Sequence, residues 1–137
     1  MAYWLVKTEP GSWSWDDQVK KDVEGWDGVR NHQAAKNLRT MKIGDKAFFY
    51  HSVNEKRIVG IVEVVREFYP DPTDATGKFV QVDFKTVKPF KTPVTLADIK
   101  ADPRFAELSL LKQSRLSVMP IDDASWAAIC EMGGVTP

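Results

Sequence analysis

The sequence predicts an α+β fold: a mixed or antiparallel sheet curled into a barrel, with short helices set between the strands. Three observations carry this. Short runs rich in β-branched and aromatic residues are bounded by turn residues. The helical stretches between them are brief and open on capping residues. Neighbouring strands follow one another without long helical crossovers, which disfavours parallel βαβ units. At 137 residues the chain suits one domain over residues 1–137.

In order, Tyr3 to Lys7 reads as a strand ended by Thr8-Glu9-Pro10-Gly11, because Pro10 pushes Glu9 out of the helical region. Ser14 caps a short helix with Asp16 and Asp17 in its first turn and Trp15 and Val19 on one face. Asp27-Gly28 is a turn, and Asn31 caps a second helix whose Ala34, Leu38 and Met41 share a face. Gly44 stops that helix, and Lys46 to Ser52 is too short and aromatic to be anything but a strand.

Val53 to Lys56 forms a hairpin loop. Arg57 to Phe68 is the longest strand candidate, with branched apolar residues on both faces, as in the centre of a sheet. Gly60 within it predicts a bulge or the close approach of another group. Tyr69 to Lys78 reads as a loop, and Phe79 to Val87 as an antiparallel strand with Gln81, Asp83 and Lys85 on a wet face. Pro89 and Pro93 bracket a turn; Thr95 and then Asp102-Pro103 start short helices. Ser114 to Ile121 is a further strand. Asp122 or Asp123 caps a final helix with Trp126, Ile129 and Cys130 buried and Gly133 as its stop.

Several chemistries lack their motifs. His32, His51 and Cys130 are scattered, without C-x-x-C, H-E-x-x-H or a carboxylate cluster, so no metal is expected. Neither a P-loop nor a G-x-G-x-x-G follows a strand, no G-x-S-x-G is present, and no cofactor is expected. Cys130 reads as a packed, inert thiol. The lone cysteine fits a reducing cytoplasm or nucleus, and the absence of a signal peptide makes the cytoplasm the expectation. No apolar run approaches the roughly 20 residues that cross a bilayer. Zero formal net charge argues against a protein that coats nucleic acid by bulk charge.

A non-catalytic binding module remains. Its polar candidates are Lys7, Thr8 and Glu9, Arg30 and Asn31, His51 and Ser52, and Ser114, Arg115 and Ser117; taken singly, each also reads as a cap or a solvated loop. Trp13 and Trp26 lie on turns beside polar residues, where a Trp often lines a pocket.

The motifs YWLVKTEP, WDGVRNHQA with LRTMKIGD, FYHS, IVGIVEVVREFYPDPT, PVTLADIKA and SRLSVMP, in this order, resemble the EVE domain of the PUA-like superfamily. The resemblance runs from about Tyr3 to Met132. It implies a PUA-like barrel and a reader that takes a modified base of DNA or RNA into a pocket. The pocket implied is lined by Lys7, Thr8, Glu9, Trp13, Trp26, Arg30, Asn31, Tyr50, His51, Ser52, Ser114, Arg115, Leu116 and Ser117. Lys36 and Arg39 would serve the phosphates. Thr8 stands where a Ser is usual, His32 where an aromatic is usual, and Met119 where a Gln is usual. A binder of a free nucleotide or small planar metabolite, and an enzyme, are the alternatives; a monomer is the default.

Overall fold

An antiparallel ribbon of two long strands, β4 (Arg57–Pro70) and β5 (Val80–Thr95), forms the spine of the molecule. The structure is a computed structural model describing residues 1–137. Before the ribbon come β1 (Tyr3–Thr8), α1 (Trp15–Lys21), β2 (Val23–Gly25), α2 (His32–Thr40) and β3 (Lys46–His51). After it come α3 (Leu96–Ala101), a 3₁₀ turn at Pro103–Phe105, α4 (Ser109–Lys112), β6 (Val118–Ile121) and α5 (Asp123–Met132). The strands lie in the order β2-β5-β4-β3-β1-β6. Only β1 and β3 are parallel, joined through α1, β2 and α2.

The sheet stays open, contrary to the barrel expected from the sequence. Its edges are β2, of three residues, and β6, of four, and they do not pair with each other. Helix α2 packs against both β5 and β6 and occupies the space between. The buried Asn37 on α2 donates from its amide to the Val118 carbonyl at 2.7 Å, satisfying edge backbone that a neighbouring strand would otherwise take.

One apolar cluster fills the molecule, with Phe48, Phe49, Phe84, Leu5, Leu38 and Trp126 among its buried members. Trp126 stacks on Phe48 at 3.9 Å and on Tyr3 at 4.3 Å, joining α5 to the sheet. Gly60 has the reason its position suggested. A Cβ there would meet the Trp15 indole at 2.5 Å, so the glycine lets α1 lie directly on β4.

Other expectations need correction. Ser114 to Ser117 is turn, not strand; the Leu116 N–H donates to the Gln113 carbonyl, and pairing with β1 begins at Val118. Pro89 and Pro93 lie inside β5, not in a turn. Ladder irregularities flank Gly60, opposite Pro89, and a prolyl nitrogen costs no bond where pairing is already broken. Tyr69 and Pro70 extend β4 and pair with Gln81 and Val80. Two-sided burial in β4 is confined to its middle, and Phe68 is exposed. Gln81 is buried, not wet, and Val19 on α1 faces solvent. Met119 is fully buried opposite Leu5, where an apolar side chain suits its surroundings.

Candidate nucleic-acid interface

β1, one strand in from the sheet edge, ends at Thr8 with β3 on one side and the Ser114–Ser117 turn on the other. The Lys7 N–H donates to the Ser117 carbonyl at 2.9 Å, and the Lys7 Nζ to the Ser114 carbonyl at 2.9 Å. Two cavities open here, sharing Lys7, Thr8 and Ser117 as their common wall. We call them the inner cleft and the outer groove.

The inner cleft, about 390 Å³, is walled by Ser12 and Trp13 on one side and by the segment Glu24 to Arg30 on the other. Local bonds fix the first wall. The Thr8 hydroxyl donates to the Trp13 carbonyl at 2.8 Å, and the Trp13 indole N–H donates to Gln18 Oε1 at 2.9 Å. Gln18, fully buried, donates onward to the Asp22 and Phe84 carbonyls, so the indole is anchored to the sheet through one amide.

The second wall follows from β2. Beyond Gly25 the Trp26 N–H donates to the Val82 carbonyl at 2.8 Å, which seats the indole edge-on against Phe84 at 5.4 Å and Phe49 at 5.6 Å. Trp26 is thus 7% exposed, a core residue showing part of itself to the cleft, not the exposed turn residue expected. Gly28 turns the chain with φ +77. Asp71, with no exposed side-chain surface, then clamps the turn. It accepts from the Gly28 N–H at 2.8 Å, from Arg30 Nη1 at 3.0 Å, and from both the N–H and hydroxyl of Thr73 at 2.7 Å. Burial alone would raise its pKa. The bonds from Thr73, Gly28 and Arg30 outweigh that and bring it down to about 2.

The outer groove, about 510 Å³, is bounded by Glu9, Tyr50, Ser52 and Val53, by Lys56, Leu96 and Lys100, and by Leu110, Ser114 and Arg115. Lys7 is half-buried between the two cavities, its Nζ 5.8 Å from the Tyr50 ring centre, and burial lowers its pKa. Burial likewise raises that of the Tyr50 hydroxyl.

The residues expected at one pocket are therefore distributed. Lys7, Thr8, Trp13, Trp26, Arg30 and Ser117 line the inner cleft. Glu9, Tyr50, Ser52, Ser114 and Arg115 line the outer groove. Asn31 and Leu116 line a shallower depression beyond Arg115. Asn31 spends its carbonyl on the Ala34 N–H as the α2 cap, which leaves only its amide for other partners. His51 lines none of the three. It is buried, accepts the Trp15 N–H at Nε2 and faces Glu55 through Nδ1 at 2.9 Å, capping α1 instead of facing a ligand. Lys36 and Arg39 also line none of these three, and Arg39 donates to the Lys78 carbonyl.

Asp71 was missed from the sequence, although Asp71-Pro72-Thr73 carries the spacing of an Asx turn. Lys56 and Lys100 were missed as well; a hairpin loop and a short helix gave no sign that they face one groove.

An open mixed sheet with a helix between its edges, and a polar cleft where β1 ends, places the protein among PUA-like domains. Within that class the chain belongs to the EVE domain family, whose sequence model matches residues 2–132. It is 32% identical over 154 residues to human thymocyte nuclear protein 1, covering 88% of this chain and 68% of the relative. An NMR structure of a Rhodopseudomonas palustris protein is 59% identical, with TM-score 0.93 over 98% of this chain and 94% of that one. The human THYN1 protein, solved in complex with 5-methylcytosine-containing DNA, is 30% identical with TM-score 0.90, each chain covered in full. No helix is long and apolar enough to cross a membrane.

Proposed function

We propose that this protein is a non-catalytic reader of nucleic acid that takes one modified base into the inner cleft, a base of the 5-methylcytosine kind contained in the DNA solved with the human relative. The observation that carries the reading is the make-up of that cleft. Its volume of about 390 Å³ sits near the lower end of the ~300–1,000 Å³ typical of small-molecule sites, suited to a base taken out of the stack and not to a duplex. Half-buried Trp13 offers an aromatic plane. Trp26 and Val29 supply apolar surface against which a base methyl group gains what it loses in water. Lys7 and Arg30 line the cleft together with Glu24 and Asp27, a balance of charge that favours a neutral ring over a phosphate.

Catalysis finds little support in the same geometry. The Thr8 hydroxyl is committed to the Trp13 carbonyl, His51 caps α1, and the Cys130 thiol is buried in the core. None of these three groups is a nucleophile held beside a free base in the cleft.

The test is a titration against single-stranded oligonucleotides differing only in one 5-methylcytosine, made as DNA and as RNA. Tighter binding of the methylated strand, recovered with unchanged mass, is expected. Equal affinity for both strands would overturn the base reading, and an altered mass would replace a reader with an enzyme.

A further inference from the structure

The outer groove differs in charge from the inner cleft. Lys7, Lys56, Lys100 and Arg115 face it with only Glu9 in opposition. In a chain of zero net charge this is a local concentration of cations. Three of them, Lys56, Lys100 and Arg115, are also unspent. Arg115 has no hydrogen-bond or ion-pair partner, whereas Arg30, Arg57 and Arg104 pair with carboxylates, Arg39 with a carbonyl, and Arg66 lies over the Tyr69 ring at 3.6 Å. Lys56 and Lys100 belong to none of the ion pairs of the molecule. Cations held apart from one another's counter-charges, around a groove, suit an anion from outside.

We infer that the outer groove is a second subsite, holding the phosphodiester linkage and sugar adjacent to the base in the inner cleft. The inference rests on the base-reading function proposed above. The shared wall of Lys7, Thr8 and Ser117 makes the two cavities neighbours, so a strand leaving the cleft on one side enters the groove at once. Lys7 stands at the crossing. Its ammonium is partly stripped of water and already aimed at the Ser114 carbonyl, so a phosphate oxygen meets an oriented donor. Tyr50, Leu96 and Leu110 give the groove an apolar side for the sugar. The backbone is therefore gripped at the groove and not along α2, where Lys36 and Arg39 lie.

Lys56→Gln with Lys100→Gln removes two charges from exposed side chains while keeping them polar, and an unchanged thermal midpoint would establish that the fold is intact. In single-stranded DNA with one 5-methylcytosine, each linkage near that base is replaced in turn by a neutral methylphosphonate. For the wild type, replacement on one side of the base should weaken binding, and on the other side should not. The double variant should bind the all-phosphate strand about 10-fold more weakly at low salt, with a salt slope shallower by about 1.4 for two lost contacts. Variant and methylphosphonate losses should fail to add at the sensitive linkage, since both remove one interaction.

Fully additive losses, or a double variant with wild-type affinity and slope, would overturn the inference. A wild type that binds methylated and unmethylated strands alike would instead overturn the base reading. The salt slope of the double variant would still decide whether the groove holds backbone.

Discussion

Trp13 and Trp26 line one cleft, yet their removal should have different consequences. Trp13 is half-buried at the margin of the core, its indole N–H bonded to Gln18, so Trp13→Ala should cost about 1–3 kcal/mol of binding to the modified strand, the stacking contribution, with the fold retained. Trp26 packs on Phe49 and Phe84, and Trp26→Ala should cost about 3–5 kcal/mol of stability in a urea titration. Similar urea midpoints for the two variants would contradict this division. Asp71 gives a pH signature. Its folded pKa of about 2 lies below the unfolded value of about 3.9, so its stabilisation is present above the unfolded value and is lost as pH falls through the folded one. Discounted for screening through the partly exposed Arg30 partner, this is about 1–2 kcal/mol. The stability gap between the wild type and Asp71→Asn should narrow between about pH 4 and pH 2; a gap constant over that window would show that the charge is not what matters. The sequence offered the Asx turn at Asp71 but not its reach to Gly28, because that bond joins residues 43 apart.

At the scale of elements, the contact of α1 with β4 depends on Gly60. Gly60→Ala would drive a methyl into the Trp15 ring and should cost about 1–3 kcal/mol, read from denaturant unfolding. Adding Trp15→Leu should recover part of that loss by making room; simple addition of the two penalties would mean the glycine serves the backbone instead. This element was legible because alternation, caps and a glycine in a strand are local signals: Ser14, Asn31, Thr95 and Asp122 all cap the helices expected of them. Signals failed where a distant partner decides. Alternation from Ser114 to Ser117 imitates a strand, but the ladder with β1 starts only at Val118. Pro89 and Pro93 imitate a turn, but the broken ladder beside Gly60 tolerates them. Barrel closure depends on whether two edges meet, and no local pattern records that α2 lies between them.

For the molecule as a whole, one apolar cluster reaches from Trp26 to Cys130, and its contiguity implies that the chain opens as a unit. Cys130 can report this. Its thiol is fully buried and burial lifts its pKa to about 11, so attack requires that α5 leave the sheet. At pH 7 a thiol reagent should modify the native protein no faster than global unfolding measured separately; labelling within minutes under native conditions would show that α5 frays on its own. The placement of Lys7, Thr8, Trp26 and Ser117 around one cleft is likewise a property of the whole sheet. In the sequence it followed only from the family resemblance, since spacing along the chain says nothing about which strand ends become neighbours.

The position of β1 between β3 and β6 also bears on the protein's life on the ribosome. Lys7 is made before its carbonyl partner at Ser114, which comes 107 residues later. At about 5–20 residues per second, the two halves of the shared wall are separated by about 5–20 s of synthesis. Throughout that interval the nascent chain carries Trp13 and Trp26 with no completed cleft between them. The shared wall stays incomplete until β6 has emerged and closed onto β1.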